Sequence, residues 1–123
     1  MKVLLSIKPE FANKIFNGLK RFEYRRTIFK RPDIEKVVVY ASAPISKVIG
    51  EFEIERILFD ELATLWNATK ESAGITEEYF FDYFNDKDKG YAIKVGNYLK
   101  YESPLCLQST FGVMPPQSFM YID

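Results

Sequence analysis

The period of the apolar positions changes along the chain, and each change marks an element. Lys2 to Ile7 is a short run of Val, Leu and Ile without alternation, the pattern of a buried strand. Pro9 suits the first position of a helix. Phe11, Ala12, Ile15 and Phe16 then recur at helical spacing, with Glu10, Asn13, Lys14 and Asn17 opposite them. Gly18 stands where a helix C-terminal glycine belongs, so a two-turn helix stops sharply there. From Lys20 the period is two, with Phe22 and Tyr24 on one side and Arg21, Glu23 and Arg25 on the other, which predicts a strand.

Lys36 to Ala41 (K-V-V-V-Y-A) reads as a central strand covered on both faces. Lys47 to Leu58 alternates, Phe52 and Ile54 against Glu51, Glu53 and Glu55, and predicts a half-exposed strand. Asp60 is placed to cap a helix striped by Leu62, Leu65, Trp66 and Thr69, and Thr76 to cap a second, E-E-Y-F-F-D-Y-F, which ends in the turn N-D-K-D-K-G. Tyr91, Ile93 and Val95 mark a further strand. Beyond them the chain is expected to be irregular until a last strand in P-P-Q-S-F-M-Y-I. Strands outnumber helices and their connections vary in length, which favours an α+β architecture, a mixed barrel with flanking short helices, over a doubly wound sheet.

Composition narrows the chemistry. The 123 residues suffice for one core and predict a single domain over 1–123. There is no histidine, which removes Ser-His-Asp and Cys-His catalysis and most zinc sites; neither a Walker-type phosphate loop nor a G-x-G-x-x-G fingerprint occurs. No metal site and no cofactor is expected. Cys106 is the single cysteine, so no intrachain disulfide forms, and with no basic neighbour in sequence it reads as an inert core thiol. The first residues are too short an apolar run for a signal peptide, and no span approaches membrane length, so a cytoplasmic protein without a membrane partner is expected.

Charge changes the picture further. The net charge is zero, yet Lys14 to Arg31 holds seven basic residues and one acid, Glu23, while Glu51 to Asp88 holds eleven acids and three bases. Such a chain either offers a locally positive face to phosphate or pairs these two stretches across the fold.

The segment S-I-K-P-E-F-A-N-K-I-F-N-G-L-K-R-F-E-Y-R-R, followed by V-V-V-Y-A-S-A-P and I-G-E-F-E-I, resembles the ASCH domain family, whose mark is G-x-K-x-x-E-x-R after a short helix. The resemblance covers nearly the whole chain and implies a PUA-like fold, a small mixed β-barrel. It also implies a function near RNA: binding of RNA or of a nucleotide or modified nucleoside, with amidohydrolase action on N4-acylated cytidine or ribonuclease action as alternatives, and a regulator working through DNA or protein contacts as a third.

Physically, Lys20 supplies a mobile point charge for phosphate or a carbonyl, Arg25 a planar fork, and Glu23 an acceptor for a base amino group. The competing role for the three is an ion-pair network within the sheet. Arg21 and Arg26 extend the expected ligand-binding set, with Tyr40 and Ser42 as residues of the pocket rim. Were the site catalytic, the resemblance would assign the work to Lys20, a Thr and a Glu. Glu23 occupies the Thr position, Glu71 is the nearest counterpart for the acid, and binding is favoured over catalysis on that ground.

Overall fold

The computed structural model describes all residues from 1 to 123. The first strand, β1 (Lys2–Ile7), runs into α1 (Pro9–Phe16), whose buried Ala12, Ile15 and Phe16 are the apolar stripe read from the sequence. Gly18 follows at φ 84°, and Leu19 and Lys20 both donate their N–H to Lys14 O at 3.0 Å, so the chain wraps over the end of the helix before it extends as β2 (Phe22–Arg25). A side chain at position 18 would be strained at this φ and would bring its Cβ within 3.2 Å of the Tyr98 hydroxyl. Gly18→Val is therefore expected to lower stability by about 1 kcal/mol or more, read from the urea midpoint.

The remaining elements are β3 (Lys36–Ala41), β4 (Lys47–Glu61), α2 (Leu62–Thr69), a 3-10 turn at Lys70–Ser72, α3 (Glu77–Tyr83), β5 (Lys89–Leu105), α4 (Leu107–Phe111) and β6 (Phe119–Ile122). Thr76 caps α3 by accepting the Tyr79 N–H at 3.0 Å. Asp60 does not cap α2: Glu61 holds the cap position with no side-chain bond, and Asp60 accepts only the adjacent Glu61 N–H.

The strands form one six-stranded mixed sheet in the order β2-β5-β4-β3-β1-β6, with β1 and β3 parallel. The sheet is open, which corrects the expected closed barrel. Its edges β2 and β6 share no ladder. Instead the Arg25 guanidinium reaches across and donates to Ser118 Oγ at 2.6 Å and Ser118 O at 3.3 Å, one residue before β6. A side chain thus spans the gap that backbone pairing would close in a barrel.

A second correction concerns β5, which continues past Val95 to Leu105 beside β4. The pairing shifts register between Phe52 and Ile54 and between Ile54 and Arg56, and such bulges break the period-two pattern that would have announced a strand. The short helix α4, which buries Leu107, lies in a stretch whose pattern predicts irregular chain, and Cys106 before it is exposed rather than a core thiol.

Val3, Leu5, Ile7, Val37, Val39 and Ala41 pack with α1, while Leu4, Val38 and Tyr40 lie in a separate cluster with Leu107 and Ile122, so β1 and β3 are covered on both faces. A third cluster sets Phe22, Tyr24 and Ala92 against Leu65, Trp66, Phe80 and Phe84 of α2 and α3. No helix is long and apolar enough to cross a membrane.

Candidate functional site

The break between the sheet edges is a cavity. It holds about 400 Å³ and is bounded by the end of β1 (Ser6, Ile7), the start of α1 (Lys8, Phe11), Lys20 and β2, Tyr79 and Tyr83 of α3, and Gln117 and Ser118 before β6. Lys20, Glu23, Tyr24, Arg25 and Arg26 all line it. Three of these are charged and nearly removed from water: Lys20 is 1%, Glu23 7% and Arg25 9% exposed. Long polar side chains are seldom buried to this degree without a partner or a task.

Local structure explains the placement of Lys20. The helix stop at Gly18 delivers the chain to the segment Ser72–Gly74, where Arg21 donates its N–H to Ser72 O at 2.8 Å and Lys20 Nζ donates to Ala73 O at 2.8 Å. Gly74, at φ 70°, leaves the room in which Lys20 lies, since a Cβ there would sit 2.6 Å from Lys20 Cβ and Cγ. The ammonium is 4.8 Å from the Tyr24 ring centroid and 5.5 Å from that of Phe11, both within cation–π range. Burial pushes the Lys20 pKa down to about 8, against a raising contribution from Glu23, with Lys14 adding to the depression.

Glu23 lies between the two cations. Its Oε2 is 3.4 Å from Arg25 Nη1 and its Oε1 is 4.0 Å from Lys20 Nζ, the latter beyond hydrogen-bond length. The carboxylate is held by charge while its acceptor capacity is largely unspent. Tyr24 donates its hydroxyl to Thr69 Oγ1 at 2.7 Å, and burial raises its pKa to about 12, so the phenol stays protonated and presents its ring rather than a charge.

Other residues from the sequence reading lie elsewhere. Arg21 borders a separate depression with Glu53, Glu55 and Asn97 and donates to Val95 O, because it precedes the β2 ladder. Arg26 is exposed at the cavity mouth and paired with Asp86 at 2.7 Å. Tyr40 is buried in the cluster on the other face of β3, away from the rim it was expected to form. Ser42 bonds Ile7 O but does not line the cavity. Glu71 is exposed on the 3-10 turn and also outside the lining, so it does not complete an acid partner for Lys20.

Of the seven bases between Lys14 and Arg31, Arg26 alone makes a salt bridge with the acidic stretch, and Arg21 lies beside Glu53 and Glu55, so pairing between the two segments is confined to these residues. Phe11, Tyr79, Tyr83 and Ser118 were not read as site residues. The aromatic run of α3 did carry a signal, since it spreads over more than one face: Phe80 and Phe84 enter the core, which leaves Tyr79 and Tyr83 for the cavity.

The ASCH domain family matches residues 5–104. The chain is 30% identical over 121 residues to ATP synthase subunit alpha of Ureaplasma parvum serovar 3, a match covering 98% of this chain and 15% of that protein. It is 33% identical over 91 residues to the ASCH domain-containing ribonuclease of Zymomonas mobilis, covering 74% of this chain and 62% of the relative. The chain thus spans less than two thirds of the length of these curated relatives. Among solved structures, ASCH from Zymomonas mobilis superposes with a TM-score of 0.90 at 29% identity, covering 99% of this chain and 87% of that one.

Proposed function

The chain belongs to the ASCH domain family, and from that premise we propose that it binds RNA, taking one nucleotide into the cavity between β2 and β6. The observation that carries this reading is the convergence of Lys20, Glu23 and Arg25, all buried, on one concave site walled by Phe11, Tyr24, Tyr79 and Tyr83. The arginines suit phosphate, Lys20 suits phosphate or a base carbonyl, the carboxylate suits a base amino group, and the rings suit the base face. The name of the Zymomonas mobilis relative, a ribonuclease, points to the same polymer.

A second reading, cleavage of the bound RNA, is favoured by the depressed pKa of Lys20. With a pKa of about 8, a fraction of Lys20 is neutral near pH 7 and able to accept a proton. The amine would take it from a ribose 2′-hydroxyl, the freed oxygen would attack the adjacent phosphorus, and the 5′-oxygen would depart with a proton from water. Arg25 would offset charge on the phosphoryl oxygens.

The two readings predict opposite responses to pH. Binding requires the Lys20 ammonium, so affinity for a fluorescent single-stranded RNA at low salt falls as pH rises past about 8, far below the ordinary lysine range. Cleavage requires the amine, so the single-turnover rate at saturating RNA rises with pH up to about 8, and DNA of the same sequence, lacking the 2′-hydroxyl, stays intact. An affinity insensitive to pH between 7 and 9 would remove Lys20 from the binding site.

A further inference from the structure

We infer that the base the cavity selects is guanine, and that Glu23 is the residue that selects it. This rests on the reading of the cavity as a nucleotide site. Across the site the polar groups run in the order Lys20 Nζ, Glu23 Oε1, Glu23 Oε2, Arg25 Nη1, with 4.0 Å between the first two and 3.4 Å between the last two. In hydrogen-bonding terms the first three are donor, acceptor, acceptor, with Arg25 itself donating to the second carboxylate oxygen.

Guanine alone of the four bases presents the complement along one edge: O6 accepts, and N1–H and the N2 amino group donate side by side. Both carboxylate oxygens are then used. Uracil offers one donor, N3–H, between two acceptors. Cytosine and adenine each offer one amino donor beside an acceptor. Each of these three meets one Glu23 oxygen and leaves the other without a donor from the base, at most with the 3.4 Å contact to Arg25. In a site where Glu23 is 7% exposed, an acceptor left under-satisfied is costly, and such costs discriminate between ligands more strongly than added contacts do.

The long Lys20–Glu23 separation belongs to the same account. At 4.0 Å the ammonium and carboxylate attract but do not satisfy each other, and Lys20 Nζ makes only one hydrogen bond within the protein, to Ala73 O. Lys20 Nζ keeps two of its N–H donors and Glu23 Oε1 accepts no hydrogen bond within the protein, the pair of groups that meets a ligand edge carrying O6 beside N1–H. Tyr24 offers no competing donor, because its hydroxyl is committed to Thr69.

Calorimetric titration of the native protein with GMP, AMP, CMP, UMP and IMP at low salt tests the assignment. GMP is expected to bind roughly tenfold or more tighter than AMP, CMP and UMP. IMP keeps O6 and N1–H but lacks the N2 amino group, so it should fall between GMP and the rest. Glu23→Gln, which replaces one acceptor by a donor, should reduce GMP binding to the level of the other nucleotides while leaving CMP and UMP almost unchanged. Equal affinities for all five ligands, or a preference for CMP, UMP or AMP, would overturn the base assignment and leave the RNA-binding reading standing. Failure of every nucleotide and of single-stranded RNA to bind would overturn both. The IMP comparison uses the native protein and holds even if Glu23→Gln unfolds.

Discussion

Arg25→Ala is expected to lower the midpoint of thermal unfolding by about 10 °C or more, a loss out of proportion to one residue of a four-residue edge strand. The Arg25 guanidinium donates to Ser118 Oγ and Ser118 O and faces Glu23 at 3.4 Å, so it joins the two free edges of the sheet and balances a buried carboxylate. Truncation removes the only side-chain hydrogen bonds between β2 and the approach to β6, and leaves Glu23 with Lys20 alone at 4.0 Å. Breaking a buried pair from one side costs about 3–5 kcal/mol. Arg25→Lys keeps the charge but not the fork, and should lie between. Arg31→Ala removes an exposed pair with Asp33 and should leave the midpoint unchanged. A drop for Arg25→Ala no larger than that for Arg31→Ala would mean that the sheet edges are held together by something else.

Lys20→Met should abolish measurable RNA binding at pH 7 and, separately, flatten the pH dependence of stability. The sign follows from the direction of the shift. Burial lowers the Lys20 pKa from 10.5 to about 8, so between those values the unfolded chain holds a proton that the folded protein has released. Stability therefore rises with pH from about 8 to about 10, by roughly 3 kcal/mol at most, and below pH 8 the cost of the buried charge is fully present. Tyr24 acts in the opposite sense only above pH 10, because its pKa is raised to about 12, so the Lys20 effect has its own window. Urea unfolding of native protein and Lys20→Met at pH 7.5 and pH 9.5 measures it. Lys30→Ala and Lys47→Ala, both exposed and outside the cavity, should lower RNA affinity only slightly, as screened surface charges do. Equal losses from Lys20, Lys30 and Lys47 would reduce the cavity to part of a diffuse charged surface.

The readable parts of this chain were those in which local chemistry decides. Pro9 and Gly18 bracket α1, Thr76 caps α3, and the unbroken V-V-V-Y of β3 reports burial on both faces, each by rules that act within a few residues. The same holds for the motif: helix stop, lysine and strand are adjacent in sequence, so Lys20, Glu23 and Arg25 could be grouped before any fold was known.

What escaped depends on chain segments far apart. Ser118 meets Arg25 across 93 residues, and Phe11 and Tyr79 are T-shaped neighbours at 5.1 Å from different helices, so no local pattern announces them. The closed barrel was expected because strand count and connection length do not say whether the first and last edges pair. Here a guanidinium occupies the place of a ladder. Tyr40 and Ser42 were drawn to the rim by their position after a central strand, but the side-chain alternation of β3 sends Tyr40 to the opposite cluster. Glu71 illustrates the weakness of matching a lone acid in a loop: it stands two residues before Ala73, whose carbonyl accepts from Lys20, yet it is itself exposed.

The most direct measurement of the central claim is a crystal structure of the protein with a short single-stranded RNA. The account predicts one nucleotide in the cavity between β2 and β6, its base edge within hydrogen-bond distance of Glu23 and its phosphate beside Arg25 or Arg26. RNA bound elsewhere on the surface, with Lys20, Glu23 and Arg25 untouched, would contradict it.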